Sequence, residues 1–163
     1  MLRKAIALEL KQESEGTRKL LERIPAEKFD YKPHEKSMVL KNLALHVAMM
    51  PDFILPVIDS DGIDFGKMDW TPPEVKSTDD LLKIFDESLK KALEKLEGAD
   101  ESKFMDIWTA KMEGNVLFAI PRISAIRGMT LNHLYHHRGQ LTVYLRLLNI
   151  PLPGLYGPSA DEQ

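Results

Sequence analysis

Histidine is the residue with the most chemistry to offer in this 163-residue chain, and three of its five copies, His133, His136 and His137, crowd together near the C-terminus. Residues four apart on a helix lie about 40° apart in rotation and one turn above each other, so His133 and His137 can point two imidazoles at one ion. His46 sits on the apolar side of an earlier helical pattern. A neutral imidazole gives a lone pair to a cation through one nitrogen and bonds an acceptor through the other. Three such rings aimed inward from two facing helices are the kind of arrangement from which metal sites in bundles are made. Two other readings compete. A single buried histidine is more often a hydrogen-bonded core residue than a ligand, and an HxxxH spacing also arises by chance. Three inward histidines are harder to explain that way, because each unsatisfied group costs on the order of 1–3 kcal/mol and protonating more than one adds repulsion.

The elements that must position these rings read as helices. Leu2, Ile6, Leu10, Leu20, Leu21 and Ile24 fall mostly at three- and four-residue steps, predicting an amphipathic first helix that is weakened around Gly16 and stopped by Pro25. After a polar connector from Ala26 to Lys36, Ser37 is the expected N-cap of a second helix running to about Met50, with Leu40, Leu43, His46, Val47 and Met50 inward. Pro51 ends or kinks it, and Phe53 to Ile58 offer a short further helical segment. Asp59 to Glu74, rich in glycine, proline and aspartate, reads as a loop. Ser77 and Asp80 have the spacing of a capping box for a third helix, whose apolar period lasts until Gly98. Asp100 to Ile120 stays open between two short strands around Gly114 and packed loop. Pro121 then suits the first turn of a last helix of about seven turns, roughly 40 Å long, running from Ile123 to Leu148 and ended by Pro151 and Pro153. Four long helical patterns without strand–helix alternation predict an all-α fold, a four-helix bundle, in a single domain over residues 1–163.

Composition removes several classes of function. The 22 basic and 25 acidic residues leave a formal charge of −3 with no basic block, so nucleic acid is a poor candidate partner. Cysteine is absent, which excludes disulfides and thiolate ligands and requires that any thiol chemistry use a thiol brought in by a co-substrate. No membrane partner is expected, since the longest tight apolar run, Val116 to Ile120, ends at Pro121. Met1 to Leu10 does not read as a secretion signal, because Arg3, Lys4 and Glu9 flank an apolar run of only Ala5 to Leu8, so a cytoplasmic protein is expected.

The run Asn132-His133-Leu134-Tyr135-His136-His137-Arg138-Gly139-Gln140-Leu141, followed by Tyr144-Leu145-Arg146 and the tail from Leu152 to Glu162, strongly resembles the DinB/YfiT-like metalloprotein superfamily. Pro33-His34-Glu35-Lys36-Ser37-Met38 and Leu43-Ala44-Leu45-His46-Val47 resemble the same family's first ligand region. The resemblance implies a bundle of up-down-down-up type, commonly a homodimer, with a divalent metal held by three histidines. Carried over by position, these are His46, His133 and His137. His136 falls about 100° around the helix from His137 and is assigned to the ligand's surroundings, a helix contact or the surface rather than to the metal. His34, in the connector, reads as structural, and Arg138 and Gln140 read as ties to neighbouring backbone.

Three protein ligands leave a coordination position open, as catalytic sites do. An all-nitrogen set suits a divalent transition metal such as zinc or nickel, and softness does not choose between them. The characterised relatives are thiol-dependent transferases and isomerases, so the resemblance implies an enzyme that activates a low-molecular-weight thiol, or water, against a small electrophile: an S-transferase-like protein or a hydrolase. The alternative is a non-catalytic metal-binding bundle acting in stress response or as an interaction module. No nucleophile or general base stands out beyond the metal; Tyr135, Asn132 and Asp52 are nearby polar residues without an assigned catalytic role.

Overall fold

The structure is a computed structural model that describes residues 1–162. Helix α1 (Leu2–Leu21) buries Ile6, Leu10, Ser14, Thr17, Leu20 and Leu21, one stripe at three- and four-residue steps, and it runs unbroken through Gly16. The two polar members of that stripe are satisfied within the helix, Ser14 Oγ donating to Leu10 O and Thr17 Oγ1 to Glu13 O. Helix α2 (Leu40–Met49) is buried nearly all round. A 3₁₀ turn (Met50–Phe53) then leads into α3 (Ile54–Asp59). Helix α4 (Thr78–Gly98) opens with the expected capping box: Ser77 Oγ accepts from Asp80 N at 3.1 Å, and Asp80 Oδ2 accepts from Ser77 N at 2.9 Å.

Two clusters of buried side chains make the interior. One joins Leu20, Leu21 and Ile24 to α2, to Leu81 and Phe85 of α4, and to Leu134, Leu141, Tyr144 and Leu145. The other joins Ile6 and Leu10 to α3, Ala92 and Leu96, Trp108, Ala110, Ile126 and Leu131. The start of α1 thus packs with the end of α4 and the end of α1 with the start of α4, so these two helices run antiparallel.

The second cluster is closed by a sheet, and here the all-α, four-helix-bundle expectation is corrected. Strands β1 (Gly62–Asp64), β2 (Ile107–Met112) and β3 (Asn115–Pro121) form a three-stranded mixed sheet in that order, β1 parallel and β3 antiparallel to β2. The hairpin was one of the two options left open for Asp100 to Ile120. Its two turn residues, Glu113 and Gly114, both take positive φ, 49° and 84°, the twist that a two-residue hairpin needs and that glycine supplies without strain. Trp108 and Ala110 alternate into the core, while Leu117 has no partner in the register and forms a bulge. Strand β1 lies where a loop was expected. Three residues, Gly-Ile-Asp, carry no readable period; β2 makes them a strand by pairing, with Thr109 N also donating to Asp61 O at 3.0 Å.

Two further expectations change. Ser37 does not cap α2; Val39 is the N-cap and offers no side-chain bond. The connector does the capping through its own carbonyls, Tyr31 O accepting from Leu40 N at 2.8 Å and Phe29 O from Lys41 N at 3.0 Å. The last helix is not continuous either: α5 (Arg122–Ile126) passes through a π-helical turn (Arg127–Asn132) into α6 (His133–Leu147). Leu40–Asp59 also amends the reading of apolar runs, being long and apolar enough to cross a membrane by length and composition. Half of its apolar window is buried within the fold, as in the core helix of a soluble protein, and the 3₁₀ turn interrupts it.

Candidate metal centre

His46 comes from the middle of α2, and His133 and His137 from the first two turns of α6, which packs against α2. The structure brings these three rings together and leaves them half-buried, with one nitrogen from each within 4.8 Å of the others. The His137 and His133 Nε2 atoms are 2.8 Å apart, and those of His46 and His133 3.5 Å. Phe53 stands edge-on to His46, its centroid 6.3 Å away, and 6.2 Å from His133, so the wall on that side is apolar. Among the described residues, no carboxylate joins the three histidines as a fourth candidate ligand.

The π-helical turn bears directly on this geometry. The His133 backbone N–H bonds to Thr130 O, not to the Met129 O that an α-helix would supply. The Met129 carbonyl lies near the His133 ring and favours its protonated form, against the lowering by burial. His137 has an equivalent partner, since its Nδ1 lies 2.8 Å from Gln140 Oε1. His137 thus turns its Nδ1 outward to an acceptor, and the two rings face each other through Nε2 atoms 2.8 Å apart. Only a shared proton or a cation makes that approach favourable.

Burial and mutual charge also disfavour the proton. Burial pushes His46 down from 6.5 to about 4, with His137 and His133 adding to the effect. Burial lowers His133, with His137 next, against the pull of the Met129 carbonyl. His137 is lowered by burial too, against its bond to Gln140. Neutral imidazole is the form that ligates a metal, so these shifts all favour coordination.

The remaining polar residues have other duties. His136 is exposed, its Nε2 lying 3.0 Å from Gln140 Nε2. His34 is exposed in the connector, where its Nδ1 accepts from Lys36 N at 3.1 Å. Arg138 is the structural tie expected of it: buried, it donates to Glu13 O at 2.9 Å, Thr17 Oγ1 at 3.1 Å and Glu13 Oε2 at 2.6 Å, and it also bonds the Tyr156 hydroxyl of the tail. Tyr135 donates to Glu9 Oε1 at 2.8 Å, and burial and that carboxylate raise its phenol well above the ordinary value. Asp52 sits beside Ser88 of α4, its carboxyl pushed upward by burial, and Asn132 is exposed at the end of the π turn. Gln140 is the residue whose place was misread, since it bonds two histidine rings and no backbone. Its spacing of three from His137 and four from His136 was the available signal.

The sequence profile described as the DinB family matches residues 1–163. The chain belongs to the DinB family. Solved DinB-like structures share its fold at low identity. One, YjoA from Bacillus subtilis, superposes with a TM-score of 0.74 at 19% identity, covering 95% of this chain and 99% of that one. A DinB-like protein from Bacillus cereus ATCC 10987 superposes with a TM-score of 0.71 at 21% identity, covering 94% and 97%. A curated relative, YrdA of Bacillus subtilis strain 168, is 47% identical over 32 residues, which span 20% of this DinB-family chain and 19% of YrdA.

Proposed function

We propose that His46, His133 and His137 hold one divalent transition metal, zinc or nickel, through their Nε2 atoms. The observation that carries this reading is the convergence of three neutral-favouring imidazoles on one point, two of them with Nε2 atoms 2.8 Å apart. The donor set fits such an ion. Two nitrogens each about 2.0–2.1 Å from a tetrahedral ion stand about 3.3–3.4 Å apart, and the observed 2.8 and 3.5 Å bracket that spacing.

The reaction class that fits is activation of a low-molecular-weight thiol, or water, against a small electrophile. When bound, the ion supplies Lewis acidity toward that co-substrate. The chain itself supplies three oriented neutral rings, a Phe53 wall that keeps water from one side of them, and no competing thiol, since cysteine is absent. A non-catalytic metal-binding role is the second reading. It is favoured by the engagement of Tyr135 with Glu9 and of His136 with Gln140, which occupies both of these neighbouring polar side chains. We also infer a homodimer built from helix faces, supported by Val143 and Leu147, one turn apart on α6 and each more than half exposed.

Replacing both His133 and His137 with alanine should abolish stoichiometric metal in elemental analysis, whereas His136→Ala should retain it. Full retention in the double variant would sink the assignment. In cobalt-substituted protein, a new near-ultraviolet charge-transfer band on adding free cysteine marks a thiol co-substrate. An unchanged spectrum rules the thiol out.

A further inference from the structure

We propose that Gln140 is a positioning residue that selects the metal-binding tautomer of His137, and that His136 sets the direction of its amide. The inference rests on the metal reading above and adds a residue to it.

The two ends of a glutamine amide are not equivalent, because the oxygen only accepts and the nitrogen only donates. Gln140 Nε2 lies 3.0 Å from His136 Nε2, which accepts from it, and this leaves Gln140 Oε1 2.8 Å from His137 Nδ1. That nitrogen must then carry the hydrogen. In a neutral ring the lone pair is left on Nε2, the atom that faces His133 Nε2 and the centre of the cluster. With the amide reversed, His137 Nδ1 would accept and Nε2 would carry a hydrogen into the metal position. The connection is local, since His136 and His137 are consecutive in α6 and Gln140 lies one turn on, at spacings of four and three residues that bring the polar heads side by side. The His133 ring has a different neighbour, the Met129 carbonyl.

The roles are separable by substitution. Gln140→Leu removes the acceptor, and zinc affinity measured by competition with a chromophoric chelator should fall by about 10- to 100-fold, the usual effect of losing such a partner. Gln140→Glu keeps an acceptor facing His137 and should bind zinc at least as tightly as wild type. His136→Ala, which frees the amide to turn, should lose several-fold while remaining stoichiometric. The His137 Nδ1–H resonance in ¹⁵N spectra of the zinc-loaded protein should be protected from exchange in wild type and Gln140→Glu and lose that protection in Gln140→Leu. Melting temperatures of the metal-free variants, expected to match wild type, control for folding. Wild-type affinity in Gln140→Leu, or a loss in Gln140→Glu as large as in Gln140→Leu, overturns the proposal while leaving the metal site standing. A wild-type protein that binds no zinc or nickel overturns the metal reading, and the proposal with it.

Discussion

The three clustered imidazoles make stability sensitive to mild acid. His46 is held near 4 against 6.5 for a free imidazole, and His133 and His137 shift the same way. Between those values the unfolded chain binds more protons than the folded one, so stability rises with pH through that window and is lost as pH falls. Glu9 and Asp161, both lowered, Asp161 to about 2, keep their stabilising effect down to about their ordinary values of 4.5 and 3.8 and lose it below them. The melting temperature of metal-free protein should therefore fall between about pH 6.5 and 4.5, and His46→Leu should flatten the slope. An equal slope in that variant would remove His46 from the account. The pairing of His133 with His137 was legible in the sequence because four residues is one helical turn. His46 lies 87 positions from His133; its inward face could be read from its own helix, but its place in one ligand set with the other two was implied by the family resemblance.

At the scale of elements, what could be read depended on where each backbone group finds its partner. The capping box of α4 is self-contained within four residues, so Ser77 and Asp80 announced it. The start of α2 is not, because the N–H groups of its first turn are taken by Tyr31 and Phe29 carbonyls, and Ser37 was a false signal. This contrast gives a paired prediction. Ser77→Ala should destabilise the protein by about 1 kcal/mol, whereas Ser37→Ala should stay within about 0.5 kcal/mol of wild type, both measured by urea unfolding. Equal costs would mean that Ser37 caps α2 after all. The π turn was equally hidden, because the apolar period of the last helix continues across it.

At the scale of the whole molecule, the two buried clusters draw on every major helix and on the sheet, so the fold has a core of its own and should assemble without an ion. A metal that binds only the assembled ligands adds about 2.7 kcal/mol at a hundredfold excess over its dissociation constant, which for a chain of this size raises the melting temperature by roughly 5–11 °C. Chelation should reverse that rise and leave helical circular dichroism intact at room temperature. Complete unfolding would mean a structural metal and would remove the main physical support for an open, reactive site. The inferred homodimer is tested by light scattering at micromolar concentration, where a monomeric mass would refute it; Leu147→Glu should dissociate it.

The sequence by itself determined the helical segments, the proline stops, the capping box of α4 and the inward face shared by His133 and His137. Each depends on side chains and backbone groups within one or two turns of each other, so spacing alone encodes it. Tertiary structure decided the start of α2, the existence of β1, and the meeting of His46 with the other two rings. In each case the deciding partner lies far along the chain or on another element: Tyr31 O for Leu40 N, the backbone of β2 for Gly62–Asp64, and the packing of α2 on α6 for His46. A three-residue strand has no period of its own, and an N–H group satisfied from a distant carbonyl leaves no mark on its neighbours, so these features exist only once the chain has folded.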